Sequence, residues 1–260
     1  ISIAGPNAAV IASGVVYWMG VDKFYRYDGR LQTLRCDLRQ YIFSDINLYQ
    51  APQVFAGTVE GFNEVWWFYC SENSNTVDRY AVYNYAEDIW YYGQMARTAW
   101  LDSGLSDYPI AATYSNIIVN HEYGLNDNTT GTPAPLTPYI TSSEFDIGDG
   151  HNFGFVWRML PDITFRSSTA DSPSVTMTLY PLDNSGSGYL VPASEGGTNY
   201  ASVTKGSSIN VEEFTGQVYV RVRGRQMAFK VASTQLNTTW QLGAPRIDIK
   251  PDGRRGGKVT

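Results

Sequence analysis

A strand–turn–strand pattern crowded with aromatic residues recurs along the first half of this chain, and that recurrence limits its fold more than any other feature. Val15-Val-Tyr-Trp-Met19 reads as a short apolar strand, Gly20-Val-Asp-Lys23 as a turn, Phe24-Tyr-Arg-Tyr27 as its partner, and Asp28-Gly29 as the next turn. About fifty residues later the pattern returns, with Glu64-Val-Trp-Trp-Phe-Tyr69, the polar turn Ser71 to Thr76, and Asp78 to Tyr85. Asp88-Ile-Trp-Tyr-Tyr92 adds a third strand that stops at Gly93. A third round runs from Ile110 to Tyr114 and through Ile117 to Tyr123, ending at Gly124. A repeat of about 40 to 50 residues built from short antiparallel strands is the signature of propeller blades, because each blade buries its faces only against its neighbours. Three units leave a ring open. Either further blades precede Ile1, or the segments are simply consecutive hairpins. Helix signals are confined to Leu34–Asn47, where Leu34, Leu38, Tyr41 and Phe43 recur at near-helical spacing.

The grammar changes after residues 126–138, which hold three prolines and no periodicity and read as a linker or long loop. Seven short alternating segments follow, Ser143–Ile147, Phe153–Phe165, Ser174–Tyr180, Ile209–Val211, Val218–Arg223, Ala228–Ala232 and Thr239–Leu242, separated by turns rich in Gly, Ser and Pro. That spacing predicts a β-sandwich. The expected organisation is all-β: incomplete propeller-like blades over 1–125, a Pro-rich connection over 126–138, and a sandwich-like platform with a basic tail over 139–260.

Aromatic residues make up 14% of the chain and charged residues 17%, a balance suited to sheets and wide contact surfaces. Cys36 and Cys70 have neither the number for a disulfide framework nor the spacing for zinc, so both read as small buried thiols of a protein made in a reducing cytosol. No apolar run approaches the roughly 20 residues that cross a bilayer, and the opening Ile1-Ser-Ile-Ala-Gly-Pro6 is unlike a signal peptide. A start without Met, inside strand-like sequence, leads to the expectation of an N-terminal part that is processed off or not represented.

The net charge of −6 conceals an asymmetry. Residues 221–260 carry nine Lys and Arg against two Asp, or +7, which leaves −13 for the first 220. Arg221, Arg223, Arg246, Lys250, Arg254 and Arg255 are the candidate interaction residues. They have three readings: a phosphate-neutralising footprint, the wet face of a sheet on which Tyr219, Arg221 and Arg223 point away from Val218, Val220 and Val222, or a basic end that meets the acidic body of the next copy in a ring. The last is preferred.

Signals for catalysis are sparse. Only His121 and His151 exist, and no nucleophile elbow accompanies either; no phosphate-binding loop of the Walker type occurs. Asp146-Ile-Gly-Asp-Gly-His-Asn152 groups oxygen ligands of the kind calcium takes but lacks the closing Glu of an EF-hand, and a polar turn accounts for it. No cofactor is expected. The alternative function is binding or cleaving host surface polysaccharide, with Glu60, Glu64, Asp88 and Glu122 as conceivable acids among aromatic residues. Against it, packing between strands and blades accounts for Trp66, Trp67, Trp90, Tyr91 and Tyr92.

Three strings carry a resemblance. Tyr17-Trp-Met-Gly20 with Phe24-Tyr-Arg-Tyr-Asp-Gly29, Tyr83-Asn-Tyr-Ala-Glu-Asp-Ile-Trp-Tyr-Tyr92, and Gly243-Ala-Pro-Arg-Ile-Asp-Ile-Lys-Pro-Asp-Gly-Arg-Arg255 resemble, in this order, the tail nozzle or tubular proteins of short-tailed bacteriophages, a family that includes tail stabilisation proteins. The resemblance runs from about residue 13 to the end, with 126–240 similar in style only. It implies a propeller joined to a sandwich platform, six copies in a ring under the portal and adaptor, contact with tail fibre or needle proteins, and a lumen through which the genome leaves. It also implies a place in the virion tail after assembly in the host cytoplasm, and no catalytic role. Chains of that family are longer, which implies that blades completing the propeller precede Ile1.

Overall fold

Four short strands, β1 (Ala9–Ala12), β2 (Val15–Met19), β3 (Phe24–Tyr27) and β4 (Leu31–Leu34), follow one another as an antiparallel meander in the computed structural model, which describes residues 1–104, 106–146, 152–182 and 207–253. The first turn is Ser13-Gly14 with φ of 47° and 76°, the paired positive values of a two-residue hairpin that matches strand twist. A second meander repeats the order with β5 (Phe55–Val59), β6 (Glu64–Tyr69), β7 (Arg79–Asn84) and β8 (Ile89–Gln94). A third sheet of β9 (Ala99–Leu101), β10 (Ile110–Ala112) and β11 (Ile118–Asn120) is ordered β11-β10-β9. These are propeller-like blades, and they make up the unit Ile1–Tyr123.

The helix between the first two sheets is shorter than its periodicity predicts. It is α1 (Arg39–Asp45), followed by a 3-10 turn over Leu48–Gln53. Leu34 pairs with Phe24 at the end of β4 and joins the sheet core, so strand pairing takes the residue that opened the helical pattern.

The second sheet explains why these blades stack. All six residues of β6 are buried, so both of its faces are covered. Val65, Trp67, Tyr69, Ala81 and Tyr83 face Tyr17, Met19 and Phe24 of the first sheet, with Ile42 of α1 in the same core. Trp66, Phe68 and Val82 on the opposite face share a second core with Tyr80, Tyr91 and Trp100. Two indole hydrogen bonds fix the stack: Trp67 Nε1 donates to the Ala8 carbonyl at 3.1 Å and Trp100 Nε1 to the Thr58 carbonyl at 2.9 Å. The leading strands lie next to one another, since Asn7 bridges Phe55 in parallel fashion and β5 touches β9.

The unit Gly124–Thr260 is a sandwich. The segment expected as a linker begins it with a ribbon of β12 (Asn126–Asp127) and β13 (Ala134–Pro135), pinned where Asn126 Nδ2 donates to Asn237 Oδ1 at 2.6 Å. One sheet contains β14 (Tyr139–Thr141), β15 (Phe145–Asp146), β18 (Ser174–Leu182), β19 (Ser207–Glu212) and β21 (Gln226–Ala232). The other is β16 (Gly154–Leu160) between β20 (Val218–Gly224) and β23 (Arg246–Pro251), while β17 (Ile163–Thr164) pairs with β22 (Gln241–Leu242). Val175, Met177 and Leu179 of the first sheet meet Val156, Met159, Val220 and Val222 of the second in one apolar core. Among the described residues no sheet closes into a barrel, and no helix is long and apolar enough to cross a membrane.

Candidate interaction face

Period-two alternation builds the basic face. On β20, Val220 and Val222 enter the core while Tyr219, Arg221 and Arg223 stand exposed. On β23, Ile247 and Ile249 pack inward, which puts Arg246, Asp248 and Lys250 on the outer side. β16 runs between them, with Phe155 opposite both Arg223 and Lys250, and Arg158 opposite both Tyr219 and Asp248.

A register shift between Val156 and Arg158 changes what that central strand shows. One extra residue lets Trp157 and Arg158 face outward together while Val156 and Met159 stay buried. Trp157 becomes the centre of the face. Its ring lies 4.8 Å from the Arg158 guanidinium carbon, 5.0 Å from Lys250 Nζ and 6.4 Å from the Tyr219 ring. Strict alternation conceals this arrangement in the sequence, where neither Trp157 nor Arg158 stands out.

The cations differ in their partners. Arg158 Nε donates to Asp248 Oδ2 at 2.6 Å, and Arg223 is held by Asp252 while its guanidinium covers Phe153 at 4.1 Å. Arg221, Arg246 and Lys250 have no carboxylate partner among the described residues. The structure therefore gathers four of the six candidate residues onto one sheet, one already neutralised and three without an ion pair among the described residues. Arg254 and Arg255 lie outside the described residues.

The other candidate groups are placed differently. Glu64 is buried, accepting from Trp66 Nε1 at 3.0 Å and from the Tyr91 hydroxyl, whose pKa is raised by burial and by that bond. Glu122 is an exposed residue with φ of 56°, and its carboxyl is pushed up by desolvation and then by the Glu64 charge. Asp88 accepts from the Tyr83 hydroxyl at 2.9 Å, on the sheet face opposite Glu64, while Glu60 sits on a short 3-10 turn whose amide donates to Asp102 at 2.9 Å. Of the other three acids only Glu64 bears on Glu122, and Glu64 is committed to the core between the second and third sheets. Cys70 is buried as its sequence reading expects while Cys36 is only half-buried, and desolvation raises both thiols, Cys36 up to about 12 and Cys70 up to about 11.

His121 accepts from Arg97 Nε at 2.9 Å and packs 4.6 Å from Trp100, which gives it a structural place; His151 and most of the Asp146–Asn152 loop fall outside the described residues. Among the described residues no cluster of three or more His, Cys, Asp or Glu is arranged to hold a metal.

Fold and face together define an all-β protein with stacked blade-like sheets, a sandwich, and a basic, tryptophan-centred sheet surface. Comparison with known proteins gives no matching family model and no matching curated relative.

Proposed function

We propose that the chain is a structural subunit of the tail tube, or nozzle, of a short-tailed bacteriophage, that it assembles head to tail as a ring of six, and that it catalyses no reaction. The observation that carries this reading is the sheet face on which Arg221, Arg246 and Lys250 stand without carboxylate partners among the described residues, in a chain whose first 220 residues hold the acidic surplus. A rigid sheet presents these cations in fixed register, which is what a repeated contact between identical subunits requires. Seating them on the acidic surface of the next copy leaves carboxylates to line the lumen, where they repel passing DNA; exposed cations there would retain it. The blade-and-sandwich order and the three resembling strings support the same assignment, with portal and adaptor proteins on one side and fibre or needle proteins on the other.

Light scattering of the purified chain across a chloride series tests the reading. Expected is a ring of about six copies at low salt that loosens as salt rises, and its loss in Arg221→Glu with Arg246→Glu. A mass indifferent to salt, or normal assembly of the charge-reversed variant, overturns it.

A further inference from the structure

The leading strands of the three blade-like sheets finish at one end. β1 and β5 run parallel where Asn7 bridges Phe55, and Asp102, just past β9, accepts from Thr58 Oγ1 at 2.7 Å and the Glu60 amide at 2.9 Å, beside the end of β5. That end gathers the β5–β6 turn, the β7–β8 turn, the residues between β9 and β10, and those that follow β11. It exposes rings: Phe62 is 52%, Tyr108 37% and Tyr123 62% exposed, and the two tyrosines meet edge to face at 5.1 Å. Beside them stand Glu60, Glu87, Asp88, Asp107 and Glu122, all exposed, on turns whose sequence holds no Lys or Arg. A cation enters from elsewhere in Arg97, whose Nε donates to His121 at 2.9 Å. None of the five acids has an ion-pair partner among the described residues, whereas Asp22, Asp28, Asp37, Asp45 and Asp78 each lie 3.3–3.8 Å from a Lys or Arg. With Glu72 excepted, the exposed acids of this unit that lack a cation are at this end.

The geometry points to this aromatic, acidic end of the blades as the surface that receives the basic sheet of a second copy; the inference rests on the ring reading above and names its acceptor. Charge chooses the occupant first. The sheet of β16, β20 and β23 holds Arg221, Arg246 and Lys250 without carboxylate partners among the described residues, so docking pairs on each side what the fold leaves unpaired. The rings agree, since Tyr219 is 67% exposed and Trp157 is half-buried among cations, facing Phe62, Tyr108 and Tyr123 across the contact. Size agrees as well: β16 and β20 have seven residues each, about 23 Å of strand, and three sheets about 10 Å apart make an end about 20 Å across. The acidic turns are also held in place. Asn84 Oδ1 accepts from the amides of Ala86 at 3.0 Å and Glu87 at 2.9 Å, and Asp102 ties down Glu60, so the carboxylates stand at fixed positions, as the cations do. Each copy gives its sheet and offers its blade end, a heterologous contact of the kind that closes rings.

The test is light scattering of the full chain at low salt with two charge-reversed variants. Glu60→Lys with Glu87→Lys makes both surfaces basic, and Arg221→Glu with Arg246→Glu makes both acidic, so each variant alone is expected as a monomer with unchanged circular dichroism. In a 1:1 mixture every sheet again meets a blade end of opposite sign, and rings of about six alternating copies are expected to return. Assembly that survives Glu60→Lys with Glu87→Lys but not the arginine reversal overturns this inference and leaves the ring reading standing. Assembly that survives the arginine reversal overturns both. Two monomeric variants whose mixture stays monomeric show that the two surfaces do not meet, which overturns the inference. If the lysines unfold the chain, Glu60→Gln with Glu87→Gln is expected to raise the protein concentration at half assembly about fivefold, and an unchanged concentration overturns it.

Discussion

Gly57 shows how closely the blades approach one another. A Cβ at that position would lie 2.4 Å from Trp100 Cδ1 and 2.9 Å from its Cγ, and the indole cannot swing away without losing its hydrogen bond to the Thr58 carbonyl. Trp100 is also stacked on Trp66 at 5.2 Å, so a methyl group at Gly57 disturbs the whole contact between the second and third sheets. Gly57→Ala is therefore expected to cost about 1–3 kcal/mol, although alanine favours ordered backbone over glycine elsewhere. At Gly61 a Cβ would meet nothing within 4 Å, which makes it the control, with Gly61→Ala expected to change stability by about 0.5 kcal/mol or less. Urea unfolding followed by tryptophan fluorescence separates the two; equal midpoints would show that the sheets have room to part.

Between elements, the joint of α1 with β7 depends on a buried charge pair. Arg79 Nε lies 3.5 Å from Asp45 Oδ2, with side chains only 12% and 10% exposed, and Arg79 also reaches Asp78 at 3.3 Å. Burial raises the Asp45 pKa, Arg79 opposes that shift and Asp78 adds to it. A folded carboxyl that holds its proton more tightly than the unfolded one gains stability as pH falls through its folded pKa and loses it above. Arg79→Met removes the opposing cation, so the expected loss is about 3–5 kcal/mol at neutral pH, shrinking as pH is lowered toward about 5. Chemical denaturation at both pH values reads this directly, and a loss that does not change with pH would mean Asp45 is already neutral. This pair also shows how far the sequence is legible. Nothing in the spacing of the Leu34–Asn47 segment singles out Asp45, because spacing registers the helix but not the strand it lands on. β20 is fully legible, since Val-Tyr-Val-Arg-Val-Arg alternates with period two and each side of the sandwich wants one kind of residue. β16 is not, because its bulge breaks the alternation after Val156, where strict period two would send Arg158 into the core and Met159 to solvent. Leu34 misleads for the converse reason: its helical spacing is real, but pairing with Phe24 outweighs it.

Across the whole molecule the charge is divided, and salt should act on that division. The basic face gathers cations from a C-terminal stretch of +7 in a chain of net −6, so any contact it makes with an acidic partner weakens as the Debye length falls from about 10 Å at 0.1 M to about 3 Å at 1 M. A contact made through apolar surface behaves in the opposite way, since it persists in chloride and tightens in sulfate, which is excluded from protein surface and favours burial. Sodium chloride and sodium sulfate at matched ionic strength should therefore loosen assembly through the basic face to the same degree, and Arg221→Glu with Arg246→Glu should leave a mass that neither salt changes. Light scattering in the two salts reads the difference: weakening in proportion to ionic strength assigns assembly to the basic sheet, and strengthening in sulfate assigns it to apolar surface instead.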